Sequence, residues 1–196
     1  MRNIHLLLVL ATGLLSYTNA QAAPADLPET GQTLCYPTDG IATAPIACAG
    51  TGQDGDLKAG VAWPSPRFVV GTGVGTTDQC VTDSLTGLMW VRSPSPAVAT
   101  WASALTSANG LTLCGFSDWR LPNVNELESL GNSQVANQAT FLNAQGFTGV
   151  QANYYWSSSS TAGNAGAVKI VSLFDSSVGD RSNFDSYYVW PVRAGQ

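Results

Sequence analysis

Three sets of side chains in this sequence have the types and spacing to carry chemistry: one histidine, four cysteines and a series of carboxylates. His5 is the only imidazole. Ser-His-Asp and Cys-His catalysis depend on such a group, as do nearly all zinc enzyme sites. It lies in a stretch with the marks of a cleaved secretory signal: Arg2 at the start, apolar residues from Leu6 to Leu15, and small residues at Thr18-Asn19-Ala20. Residues 1–20 are therefore expected to be removed, with a cut after Ala22 as the alternative, and the exported form would have no histidine. The stretch turns polar at Ser16, short of the about 20 apolar residues that a membrane span needs. No span is expected after removal, and the location expected is the periplasm, the cell surface or the exterior.

Cys35, Cys48, Cys80 and Cys114 all follow the expected cut, and an even count in an exported chain suggests two disulfides. Three pairings are open. The short Pro/Gly-rich loop between the first two favours Cys35–Cys48, which leaves Cys80–Cys114. Reactive thiols are the alternative, but no CxxC spacing supports them, and neither Cys80 nor Cys114 has a neighbouring cation to lower its pKa.

The carboxylates are no better placed for catalysis. Glu126 and Glu128 sit on one helix and point to different faces, which does not suit the paired acids of glycoside hydrolysis. Gln53-Asp54-Gly55-Asp56 lacks the further oxygen ligands and closing Glu of an EF-hand and reads as a turn. Asp175, Asp180 and Asp185 recur every five residues, a spacing that does not form one loop's ligand set. The chain is expected not to be an enzyme, with no catalytic residue, metal or cofactor. Basic residues number 8 against 13 acidic, for a net charge of −5, and Lys58, Arg67, Arg92, Arg120, Lys169, Arg181 and Arg193 are scattered. Nucleic-acid binding relies on basic patches and is disfavoured.

Recognition remains. The C-terminal third mixes Tyr, which offers rigid amphipathic contact area, with Ser, Asn and Asp, which offer adaptable hydrogen bonds. Loop position and chemistry select Tyr155, Asn164, Asp180, Arg181, Asn183, Asp185 and Tyr187 as the contact residues for an extracellular glycan or protein. A structural cell-surface or appendage component is the alternative function, and oligomeric state is left open.

The elements that must position these residues follow from the apolar pattern. Residues 21–79 are rich in Pro and Gly and read as an extended, disulfide-pinned region that enters the domain through a short strand at Arg67-Phe68-Val69-Val70. The domain proper spans 80–196. Thr86 to Val91 reads as a turn and a buried strand. Trp101, Ala104, Leu105 and Ala108 recur at helical spacing before Gly110. A second helix follows Pro122, with Asn123 and Glu126 as a capping box and Gly131 as its stop. After Gly146 the chain reads as strands at Tyr154 to Trp156, Ala167 to Phe174 and Tyr187 to Val192, separated by polar loops. Two helices followed by a run of strands argue for an α+β domain with a mainly antiparallel sheet. Trp90, Trp101, Trp119, Trp156 and Trp190 are expected to fill its core. Asp118 is expected to pair with Arg120 or Arg193 rather than to catalyse.

Thr86-Gly87-Leu88-Met89-Trp90, Thr100-Trp101, Ser117-Asp118-Trp119-Arg120-Leu121-Pro122-Asn123 with Glu126-Leu127, Tyr155-Trp156-Ser157-Ser158 and Val189-Trp190-Pro191-Val192-Arg193 occur in an order that resembles the domain-of-unknown-function 1566 family, also called the Lcl C-terminal domain. The resemblance covers about residues 80–194. It implies a C-type-lectin-like fold related to that of the formylglycine-generating enzymes, and it brings no catalytic residues with it. Lectins of that fold that use calcium carry Glu-Pro-Asn or Gln-Pro-Asp and Trp-Asn-Asp. This chain has Leu121-Pro122-Asn123 and Tyr155-Trp156-Ser157 instead, which leaves calcium only as an alternative to a metal-free site.

Overall fold

The computed structural model describes residues 27–39, 44–71 and 78–195; the expected signal segment lies outside them. In chain order the elements are α1 (Asp54–Leu57), β1 (Phe68–Val70), β2 (Cys80–Asp83), β3 (Leu88–Val91), β4 (Val98–Ala99), α2 (Trp101–Asn109), α3 (Val124–Glu128), α4 (Gln138–Ala144), β5 (Tyr154–Thr161), β6 (Asn164–Ser172), β7 (Val178–Ser182), β8 (Tyr187–Tyr188) and β9 (Val192–Ala194). They form two sheets, in the orders β1-β2-β3-β9 and β4-β8-β5-β6-β7. Every pairing is antiparallel except β5 with β8. The class is α+β, stapled by Cys35–Cys48 and Cys80–Cys114.

Local chemistry explains most boundaries. In α3 the Asn123 side chain accepts from Glu126 N while the Glu126 side chain accepts from Asn123 N, which satisfies both ends of a capping box. Helix α2 buries Ala104 and Ala108, one turn apart, and stops at Gly110. The β5–β6 hairpin turns at Ala162-Gly163, where Gly163 takes φ +76°, a conformation that costs glycine nothing.

The structure corrects the expected element list in four places. Helix α4 is a third helix of the domain: Asn137 caps it by accepting from Thr140 N, and it buries Gln138, Ala139 and Leu142. Its interspersed Gln, Thr and Asn dilute the apolar period. The Gln53–Asp56 segment, read as a turn, opens the one-turn helix α1, whose Gly55 is packed so closely that a Cβ would meet the Leu34 carbonyl at 2.7 Å. Between the two expected early strands lies an unexpected one, β2, which pairs with both β1 and β3. Residues 178–182, read as loop, form strand β7, whose five residues all pair with β6.

The main core lies between the two sheets and helices α3 and α4, and it joins Trp90, Trp190, Val192, Tyr155, Val171, Leu127 and Leu142. A second cluster packs α2 against Trp156, Val168, Ile170, Leu121 and Val189. A third surrounds the Cys80–Cys114 bridge with Met89 and Trp119. Trp90, Trp119, Trp156 and Trp190 are fully buried, whereas Trp101 is only half-buried. Three of the buried four find indole acceptors: Trp119 donates to the Leu113 carbonyl, Trp156 to Ala99 and Trp190 to Val91.

The N-terminal region packs onto the domain. The Gln134 side-chain oxygen accepts from Thr33 N and Leu34 N, both at 2.8 Å, and Ser133 N donates to the Thr30 carbonyl. Arg67 is buried between the rings of Trp63 and Phe68 and forms a two-pronged pair with fully buried Asp83. Because β1 pairs with β2, the boundary drawn at 79/80 falls between two strands of one sheet.

Candidate functional site

Strand alternation assigns each polar residue of the second sheet to a face. Tyr154 and Trp156 of β5 share a face with Ile170 and Val168 of β6 and with Gly179 and Arg181 of β7, through the registers Trp156↔Ile170, Ile170↔Gly179 and Val168↔Arg181. Helix α2 covers the Trp156 end of this face. Tyr154, Tyr187 and Arg181 remain half-exposed beyond it.

These three side chains form a continuous ladder. The Tyr187 ring stands edge-on to Trp156 at 4.8 Å and edge-on to Tyr154 at 5.6 Å, between ring centres. The Arg181 guanidinium carbon lies 5.1 Å from the centre of the Tyr154 ring. Gly179 sits beneath this arginine: a Cβ there would meet Arg181 Nη1 at 3.6 Å and Ile170 Cγ1 at 3.8 Å. Asp185 completes the group, with the Tyr187 hydroxyl 3.5 Å from its Oδ2.

The sequence-selected residues divide accordingly. Arg181, Asp185 and Tyr187 are brought together. Tyr155 is not a contact residue: it is fully buried in the main core on the opposite face, and its hydroxyl accepts from Gln151 N at 2.8 Å. Burial pushes its phenol up to about 12. Asp180 and Arg181 lie on a strand rather than a loop, and the pleat sends Asp180 to the other face. There it accepts from Lys169 at 2.7 Å and Thr161 at 2.6 Å, and these two bonds, the Lys169 one above all, hold its carboxyl below the usual range. Asn164 is exposed at the hairpin and accepts from Gly166 N. Asn183 is half-buried. Its carbonyl accepts from Trp101 N, and its side-chain oxygen is buried without a partner. Tyr154 was missed as a site residue, although its two-residue spacing from Trp156 was the signal that places it on the same face.

Charge pairing separates one arginine from the rest. Arg67, Arg92, Arg120 and Arg193 each meet a carboxylate, at Asp83, Asp78, Glu126 and Asp118. Among the described arginines Arg181 alone has no carboxylate partner. Its Nη1 donates to the Asp180 carbonyl at 2.9 Å. The charges of the Asp-Trp-Arg-Leu-Pro segment are both paired. Asp118 clasps Arg193, and Arg120 clasps the capping residue Glu126 through two bonds of 2.7 and 2.6 Å. Burial alone would raise the Glu126 carboxyl, but the Arg120 and Asn123 bonds outweigh it and hold it low.

Elsewhere, all four cysteines are in disulfides, and no free thiol remains. A hollow of about 470 Å³ lies between the N-terminal region and the domain, lined in part by Glu29, Trp63, Glu128, Asn132 and Asp175; none of the sequence-selected contact residues reaches it. Among the described residues no helix is long and apolar enough to cross a membrane. The family model of the Lcl C-terminal domain matches residues 79–193. No curated protein matches the chain.

Proposed function

Because the chain belongs to the Lcl C-terminal domain family, we propose that it is an exported, non-catalytic recognition module on a C-type-lectin-like scaffold. It binds an extracellular glycan or protein through the face of Tyr154, Arg181, Asp185 and Tyr187. The observation that carries this reading is the ladder itself, an arginine without a carboxylate partner lying beside the half-exposed ring of Tyr154, which in turn meets the half-exposed ring of Tyr187. Aromatic faces and guanidinium groups are the side chains that most often dominate binding energy.

Several features support it. The ladder is anchored on buried Trp156, so the contact groups are held before any ligand arrives, which lowers the ordering cost of binding. The carboxylate next to Arg181 in sequence, Asp180, is committed to Lys169 and Thr161 on the other face of the sheet. Two disulfides suit an oxidising compartment. The test is a glycan array combined with a panel of extracellular-matrix proteins, probed with the chain lacking residues 1–20. Saturable binding that weakens in Tyr187→Ala and Arg181→Ala is the expected result. No binding on either panel, or turnover of a bound glycan or protein, would overturn the reading.

A further inference from the structure

We infer that the outer edge of β7 is a second recognition element, which accepts an extended polypeptide segment bearing an Asp or Glu opposite Arg181. This deepens the recognition reading by naming a partner class, and it rests on that reading for Arg181.

β7 closes the sheet, and among the described residues no strand pairs with its outer side. Asn183 N donates to Gly166 O and Ser172 N to Ser177 O, so the odd-numbered residues of this stretch direct their backbone groups toward β6. Val178, Asp180 and Ser182 therefore direct theirs outward. Of the three outward carbonyls, Asp180 O accepts from Arg181 Nη1 and Ser182 O from Asp185 N. The edge thus presents three N–H donors and one open acceptor.

Exposed edges are usually guarded by a proline, charged side chains, a bulge or shortness. Val178-Gly179-Asp180-Arg181-Ser182 has no proline or bulge, its register with β6 runs unbroken over five pairs, and of its two charges Asp180 is paired with Lys169, which leaves Arg181 as the one charge that meets an incoming strand. Alternate donors along such an edge recur about every 6.8 Å, a spacing that the carbonyls of an extended peptide match. Main-chain pairing of this kind gives affinity, and side chains give selectivity. The side chain that would select here is Arg181, whose charge no carboxylate meets. A partner residue directly across from it shares its face and is best an acid.

The test pans a phage-displayed random dodecapeptide library on the full chain and measures the enriched sequences as synthetic peptides by fluorescence polarisation. Enrichment of alternating sequences containing Asp or Glu is expected, with at least tenfold weaker binding to Arg181→Ala. Amide exchange at Val178, Asp180 and Ser182 slows when the peptide binds. Absence of enrichment, protection elsewhere on the chain, or indifference to Arg181→Ala would overturn the proposal. So would concentration-dependent protection of the same amides without peptide, which would assign the edge to a second copy. If the peptide arm fails while Tyr187→Ala still weakens the glycan or matrix signal, the recognition reading stands without this edge; if Tyr187→Ala changes nothing while peptides protect β7, the edge stands and the aromatic face falls.

Discussion

Arg193 donates from Nε to Oδ1 of Asp118 at 2.7 Å and from Nη2 to Oδ2 at 3.1 Å, across 75 residues of sequence. The arginine is buried and stacks 3.8 Å over Phe116, while more than half of the Asp118 side chain is exposed. The Arg193 bonds hold the Asp118 carboxyl below its usual value of 3.8. A depressed carboxyl contributes stability above the ordinary carboxylate range, and that contribution is lost as pH falls through the lower folded value. Asp118→Asn should cost about 1 kcal/mol at pH 7, after discounting for solvent screening. Urea titrations at pH 7 and pH 2.5 should show the difference from wild type shrinking at the lower pH. An unchanged difference would mean that the pair does not titrate as described.

Tyr155 offers a pH test of opposite sign. Its phenol is pushed up to about 12 by burial, so the neutral form is favoured in the fold. Its stabilising contribution is whole below the unfolded value near 10 and declines as pH rises toward 12. Absorbance titration should show one tyrosine that ionises only when the protein unfolds. Complete tyrosine ionisation in a folded protein near pH 10 would contradict the burial.

The two disulfides should separate by location. Their sequence separations are 13 and 34, for which unfolded-chain entropy gives about 3 and about 4 kcal/mol. Serine replacement of Cys80 and Cys114 should lower the melting of the tryptophan core. Replacement of Cys35 and Cys48 should loosen the N-terminal region and leave the domain folded. Amide exchange distinguishes the two, and equal loosening of both regions in either variant would argue against this division.

Metal removal should be silent. Asp175 is held by Ser172 and Ser177, Asp180 by Lys169 and Thr161, and Asp185 by Tyr187, so the three carboxylates have separate partners. Titrating calcium into EDTA-stripped protein should give no heat at micromolar concentrations. A saturable heat would assign calcium a site.

Where a residue's own chemistry fixes its surroundings, the fold is legible in the sequence. Asn123 and Glu126 announced α3, Ala104 and Ala108 the buried stripe of α2, and the tryptophans the core, except that Trp101 only packs against it. What stayed hidden depended on long-range pairing. β7 contains glycine, aspartate and serine and becomes a strand only because β6 supplies a template. Tyr155 looked like a loop contact because the pleat that turns it inward is set by its pairing with Val171. Arg181 was selected for its position. Its lack of a carboxylate partner emerged only once the partners of Arg67, Arg92, Arg120 and Arg193 were known.

The most direct measurement is calorimetric titration of the tightest glycan or matrix ligand into wild type and into the double variant Tyr154→Ala, Tyr187→Ala, with melting curves alongside. Binding through this face predicts at least tenfold weaker affinity in the variant, with its tryptophan-core melting transition retained. Equal affinity in the two proteins would place the recognition surface elsewhere.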